Sequence, residues 1–406
     1  MLHNRNFKSV LCASVVTLFI ACLPAFTQST TEVAGINLEQ LQDAGYRIDW
    51  INQPTSQGLY LPTITDNAFY SIDNADFVSK YDIDSGEWLW SAPVGNKTYK
   101  IQSINEFPTL RRTYVLSEGG VFVIESSTGN YPSNVDSTTS NNSQFFPLNA
   151  IANTAAISFN GQMIYGSTNG NTIWFSPAIG FTASKYEIGS SVAITPTLVR
   201  GIRTKDGIMR TAIVSASTDG TVIATDAKEV RQLWTIKLLD SVEAPVAFST
   251  NSTVVNDEEI PRTSVFIAGT DHYLRSVDLH TGRPRWKVLT ESSLENSPFV
   301  AGDTLFQRIP NVGLASYNAF PNSFNGTRNW IAETVTGTPL TTTKTGKLVC
   351  WDRDLRLLQI VDTRKGGIVS TLQIPQAKSV ISNDPTNGSL FITNDSDMIL
   401  RLDPRR

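Results

Sequence analysis

The feature that most constrains this chain is a short pattern repeated along almost its whole length. One copy reads Thr270-Asp271-His272-Tyr273-Leu274-Arg275-Ser276-Val277-Asp278, continued by Leu279-His280-Thr281-Gly282-Arg283-Pro284-Arg285-Trp286. A second runs from Ser217-Thr218-Asp219-Gly220 through Asp226 to Leu233-Trp234, and a third from Phe77 through Asp82 and Gly86 to Trp88. Each part has a physical reading. Asp-Gly, or a close substitute, makes a tight hairpin because both residues tolerate positive φ. The next strand alternates apolar and polar residues and ends on an Asp. That side chain can accept backbone N–H groups two and three residues on, which closes the Asp-x-x-Thr/Ser-Gly turn. The Trp after it opens an outer strand and buries a large apolar surface over the neighbouring turn.

Aligned on the strand-ending position, the copies fall at Asp82, Glu125, Ser176, Asp226, Asp278, Asn318, Asp362 and Asp403. Their spacing of 40 to 52 residues is that of four-stranded antiparallel propeller blades. The fold expected is therefore all-β, an eight-bladed β-propeller over residues 46–406. Asp82, Gly86, Asp226, Asp278, Gly282, Asp362 and Asp403 are expected to build blade turns. Trp88, Trp234 and Trp286 are expected to pack between blades. The last copy ends with the chain, so its outer strand must come from elsewhere. Tyr46-Arg47-Ile48-Asp49-Trp50 reads as that strand, and a ring closed this way has no open edge. The segment 30–45 is a linker with a short helix, capped by Asn37 and ended by Gly45.

Four stretches break the period and are candidate functional loops. Gly201 to Met209 and Asn251 to Arg262 join first and second strands, on the face of the Asp-x-x-Thr-Gly turns. Ser133 to Gln144 is expected to join two blades on the opposite face, and Asn318 to Asn329 is a further excursion.

Residues 1–29 have a basic start (His3, Arg5, Lys8) and an apolar run from Val10 to Phe26, the pattern of a signal peptide cut after Ala25, Thr27 or Ser29. Export to the periplasm or cell envelope is therefore expected. No later stretch is long and apolar enough to span a membrane. Phe19-Ile20-Ala21-Cys22 resembles a bacterial lipoprotein box with Phe where Leu is usual, which makes Cys22 the candidate lipid anchor. Cys12 lies in the signal, and Cys350, in the strand-like Lys347-Leu-Val-Cys-Trp351, reads as a buried apolar residue. Without the signal the chain carries 31 basic against 37 acidic residues, scattered rather than clustered, which argues against nucleic-acid binding.

The repeat, Asp-Gly-x-Leu/Val-x-Ala-x-Asp-x-x-Thr-Gly-x-x-x-Trp, resembles that of the quinoprotein-type (PQQ-binding-like) propeller family. It is similar in particular to the BamB propellers of outer-membrane protein assembly, over roughly Leu41 to Asp403. The resemblance implies an eight-bladed ring and, for BamB-like members, a lipid-anchored scaffold that binds protein partners without catalysis. The enzyme branch of the family would need adjacent cysteines over a PQQ cofactor, calcium-binding carboxylates and a catalytic Asp. Cys350 has no adjacent cysteine, and the carboxylates found here occupy turn positions. No cofactor, metal or catalytic residue is therefore assigned. His272 and His280 lie in turns, and Asp395-Ser396-Asp397 and Asn256-Asp257-Glu258-Glu259 fall short of a calcium loop.

The function expected is a non-enzymatic scaffold of the cell envelope, a monomer presenting loops to an envelope protein. Two alternatives stand beside it. One is a carbohydrate- or cell-wall-binding propeller using Phe320, Phe324 and Trp330, and the other a PQQ-dependent oxidoreductase with an unusual pocket.

Overall fold

The computed structural model describes residues 32–95, 98–132, 145–203, 209–255 and 258–405. The expected signal peptide, its expected cleavage sites and Cys22 lie outside them. Eight four-stranded antiparallel sheets follow one another as the blades of a propeller. Blades 1 to 7 span 60–93, 101–147, 157–187, 197–237, 247–289, 299–332 and 338–373. Blade 8 takes three strands from 377–404 and its fourth from Tyr46–Asn52, near the other end of the chain. First strands of successive blades touch one another, so they line the centre, and the chain runs outward through each blade.

All eight strand-ending positions close the third strand of a blade, including the degenerate Ser176 and Asn318. These strands are buried on both faces, because each blade packs against two neighbours. The core is accordingly a series of clusters between blades. Val214, Val222, Ala224 and Trp234 of blade 4, for example, pack against Val265, Ile267 and Val277 of blade 5.

Tryptophan stitches most of these joints. The indole N–H of Trp50, Trp90, Trp174, Trp234, Trp286 and Trp330 donates to the carbonyl just after the strand end of the next blade. The acceptors are Ile83, Ser126, Ala227, Leu279, Ala319 and Thr363, at 2.7–3.1 Å. At five of these joints the ring also lies over a turn glycine. A Cβ on Gly86 would sit 2.4 Å from the Trp50 ring, and one on Gly282 2.7 Å from Trp234. Glycine is therefore required twice over there, for space and for its φ of 70° and 68°. Between blades 2 and 3, Phe146 lies over Gly180 instead.

Trp88 is a correction. It was expected to pack between blades, but it is 55% exposed, and Trp90 is the buried indole at that joint. The reason is spacing: Trp234 and Trp286 stand eight residues after Asp226 and Asp278, and eight after Asp82 is Trp90.

The ring closes as the sequence suggests. Tyr46–Asn52 pairs with Ile399–Pro404 in the register Ile48↔Leu402 and Trp50↔Arg401, with a bulge at Asp49. Arg401 ties the closure to blade 1 by donating to the Ile83 carbonyl at 2.6 Å and pairing with Asp84 at 3.1 Å. The helix is Leu38–Asp43, capped by Asn37 Oδ1, which accepts the N–H of Glu39 and Gln40, each at 3.0 Å. It fills the one joint without an aromatic stitch. Ile36, Leu41 and Ala44 join the core shared by blades 7 and 8, and Ser370 donates to the Asp43 carbonyl.

Two loop expectations change. Asn251 to Arg262 is largely strand, a hairpin paired from Ala247↔Phe266 out to Val255↔Glu258. Ser133 to Gln144 lies outside the described residues. The strands flanking it, Gly120–Glu125 and Phe145–Pro147, pair with each other, so it joins third and fourth strands of blade 2 rather than two blades. A fourth strand of only three residues left no strand pattern in the sequence to place it. Gly201 to Met209 does link first and second strands of blade 4.

Candidate binding funnel

A meander fixes the two faces of the ring. Turns between third and fourth strands lie on one face. Turns between second and third strands, with the links between blades, lie on the other.

The first face carries most of the sequence's conspicuous residues. Asp278 Oδ1 accepts the N–H of His280 at 3.0 Å, the N–H of Thr281 at 2.9 Å and its hydroxyl, while Gly282 N–H returns to the Asp278 carbonyl at 2.8 Å. Asp82 repeats this with Asp84 and Ser85, Asp362 with Arg364 and Lys365, and Asp226 with Lys228 and Glu229. In the Asp226 turn Val230 takes the glycine position at φ 54°. Asp403 accepts no turn N–H among the described residues. It accepts from Ser389 Oγ at 2.7 Å and Arg401 Nε at 2.8 Å.

These bonds hold the turn carboxyls of Asp82 and Asp362 below the ordinary carboxylate range, chiefly through backbone N–H donation. Asp278 is also lowered; burial alone would raise it, and donation from Arg285 and Thr281 overcomes that. A depressed folded-state pKa means that the unfolded chain binds more protons in acid. The stabilisation is complete above about pH 4 and is lost as pH falls through the folded values. Urea midpoints should thus fall steeply below about pH 4, and Asp278→Asn should flatten that fall. An unchanged slope in the variant would remove Asp278 from the account.

The opposite face holds the largest cavity described, about 710 Å³, at the inner ends of blades 6, 7, 8 and 1. Arg308, Arg353, Lys378, Glu295, Asp352 and Asp354 supply its charges, with Trp351 in the wall. Gln359 in the third strand of blade 7 fixes one side. Its Oε1 accepts Thr336 N–H at 3.0 Å and Gly337 N–H at 2.9 Å, and its Nε2 donates to the Thr334 carbonyl at 3.1 Å. Arg308 Nε donates to the Thr336 carbonyl at 2.7 Å, and Lys378 Nζ to the Leu59 carbonyl at 2.6 Å. Burial lowers the Arg308 pKa, against the pull of Asp352. Asp352 Oδ1 accepts Leu355 N–H at 2.9 Å, which shapes the turn carrying Arg353 and Asp354.

Arg353 and Asp354 are exposed, and neither side chain has a hydrogen bond or ion pair among the described residues. The funnel therefore has a wall braced by internal hydrogen bonds and a charged lip of both signs, suited to gripping a polar segment. None of the sequence-assigned turn or packing residues lines it. The missed signal was Trp351-Asp352-Arg353-Asp354, a charged run where blades 3 and 4 place Asn169-Gly170 and Asp219-Gly220.

The remaining candidates resolve as structure. Trp330 is spent on its joint, Phe320 packs against the core of blades 5 and 6, and only Phe324, 80% exposed, stands free, so no aromatic platform forms there. Asp397 accepts the N–H of Gly58 and Leu59, each at 2.8 Å, and Asp395 pairs with Arg356. Cys350 is buried, and burial raises its thiol pKa. Among the described residues no three His, Cys, Asp or Glu side chains cluster as metal ligands, and no helix is long and apolar enough to cross a membrane.

Comparison with known proteins bears on this geometry. No curated protein sequence matches the chain. BamB from Moraxella catarrhalis has a similar structure, with a TM-score of 0.60 at 15% identity over 88% of this chain and 97% of that one. A computationally designed protein, Ika8, is as similar, with a TM-score of 0.61 at 14% identity over 87% of this chain and 99% of its own. At such identities both likenesses are of fold alone. The model of the family described as outer membrane protein assembly factor BamB matches residues 163–405, which is more than half the chain, and the protein belongs to that family.

Proposed function

We propose that this protein is a non-enzymatic scaffold of the cell envelope, whose funnel face holds a segment of an envelope protein. The observation that carries the reading is the funnel itself. Arg353 and Asp354 present unpaired charges of opposite sign above a wall braced by the internal hydrogen bonds of Gln359, Arg308 and Lys378. Such a wall contributes shape, and the lip contributes orientation and specificity. Family membership supports a propeller of this kind. The oxidoreductase alternative finds no support in Cys350, which lacks the neighbouring cysteine that branch requires.

A photo-crosslinking side chain at position 353, activated in intact cells, should trap a defined envelope protein. The same side chain at Arg364, on the opposite face of the same blade, should not. Equal adducts at both positions, or adducts containing only glycan, would sink the reading.

A further inference from the structure

From the groove beside Trp88 we infer a second binding site, on the outer rim of the ring, that takes a neutral oligosaccharide. The site lies where the segment leaving the closing strand passes blade 1. There Trp88 and Tyr81 face Asn52, Gln53, Thr55 and Ser56 across a groove of about 380 Å³. It is remote from the funnel in role and composition, and it does not depend on the scaffold reading.

Architecture does not require a tryptophan here. Trp88 pairs with Tyr81 at the start of the outer strand of blade 1. The matching positions of blades 4, 5 and 7 are Gln232, Pro284 and Ile368, each opposite the equivalent third-strand residue. The joint on this side of blade 1, with blade 8, is already stitched by Trp50, and the joint on its other side by Trp90. Trp88 instead leaves over half its surface in water. An indole this exposed costs solubility and returns little packing, which marks it as a contact residue.

The groove's chemistry selects the ligand. No carboxylate, ammonium or guanidinium lines it, and burial raises the Tyr81 phenol pKa, keeping it neutral. The polar groups are amides and hydroxyls. Asn52 Nδ2 is committed to the Gly86 carbonyl at 2.6 Å and Gln53 Nε2 to the Ser396 carbonyl at 2.9 Å. Both amides are thereby fixed in orientation, with their carbonyl oxygens left as acceptors. The indole face offers a flat apolar surface for the axial C–H groups of a pyranose, while amides and hydroxyls match its hydroxyls. A charged ligand would find no counter-ion. An apolar peptide would leave the polar side of the groove unpaired.

The test is calorimetric titration of the full-length protein with cellotetraose, maltotetraose and tetra-N-acetylchitotetraose. At least one should bind saturably at millimolar concentration or below. Trp88→Ala should weaken that binding by about tenfold or more, Trp88→Phe should retain part of it, and neither should move the melting temperature. Absence of saturable binding by all three sugars overturns the proposal, and so does binding that Trp88→Ala leaves unchanged. Crosslinking from position 353 reads the funnel separately, so failure here and failure of the scaffold reading are distinguishable.

Discussion

A chain that begins at Gln53 should lose its cooperative thermal transition and aggregate. Removing residues up to Asn52 takes away the fourth strand of blade 8, the Trp50 stitch to the Ile83 carbonyl and the ring over Gly86. It also removes Tyr46, Leu41 and Ile36 from the core shared with blade 7. Leu400 and Leu402 would be left on an open strand edge, which invites pairing with another chain. Trp50→Ala alone should cost about 3–5 kcal/mol, through the cavity left by the ring and the loss of one of the two hydrogen bonds to the Ile83 carbonyl, which keeps only Arg401. Adding a separate peptide covering 32–52 should restore the transition, because the register is set by side chains present in both pieces. A truncated chain that melts where the intact protein does would refute ring closure by this strand.

The second large effect contrasts two tryptophans. Trp286 is 2% exposed, stacks on Tyr317 with ring centres 6.3 Å apart, and donates to the Ala319 carbonyl at 3.1 Å. Trp286→Ala should destabilise the protein by about 3–5 kcal/mol, read as a lower urea midpoint. Trp88→Ala, at a position of the same motif, should stay within about 0.5 kcal/mol of the parent. If the two substitutions cost the same, the assignment of one to architecture and the other to contact is wrong.

These contrasts also show how far the sequence could be read. Strand ends at Asp82, Asp226, Asp278 and Asp362 were legible because one side chain both ends a strand and caps a turn, a local device with a local signature. Even Asn318 could be found, since Phe320 N–H still returns to its side chain. The choice of Trp88 over Trp90 failed on a two-residue offset that the spacing in blades 4 and 5 already contained. The funnel was less accessible. Its lining comes from four blades, from Leu59 to Thr393, and no local pattern brings such positions together. Only the charged turn at Arg353 hinted at it. The rim site was hidden by its own motif, because an indole near the expected packing position looked explained.

The central claim is that protein-partner binding belongs to the funnel face, and the turn Asp and Gly residues and the buried Trp residues to architecture. The most direct measurement compares recovery of the envelope partner by Arg353→Glu and Arg364→Glu, equal charge reversals on opposite faces of blade 7. The account predicts loss of the partner with Arg353→Glu and full recovery with Arg364→Glu, both proteins melting like the parent. Loss with Arg364→Glu alone would contradict it.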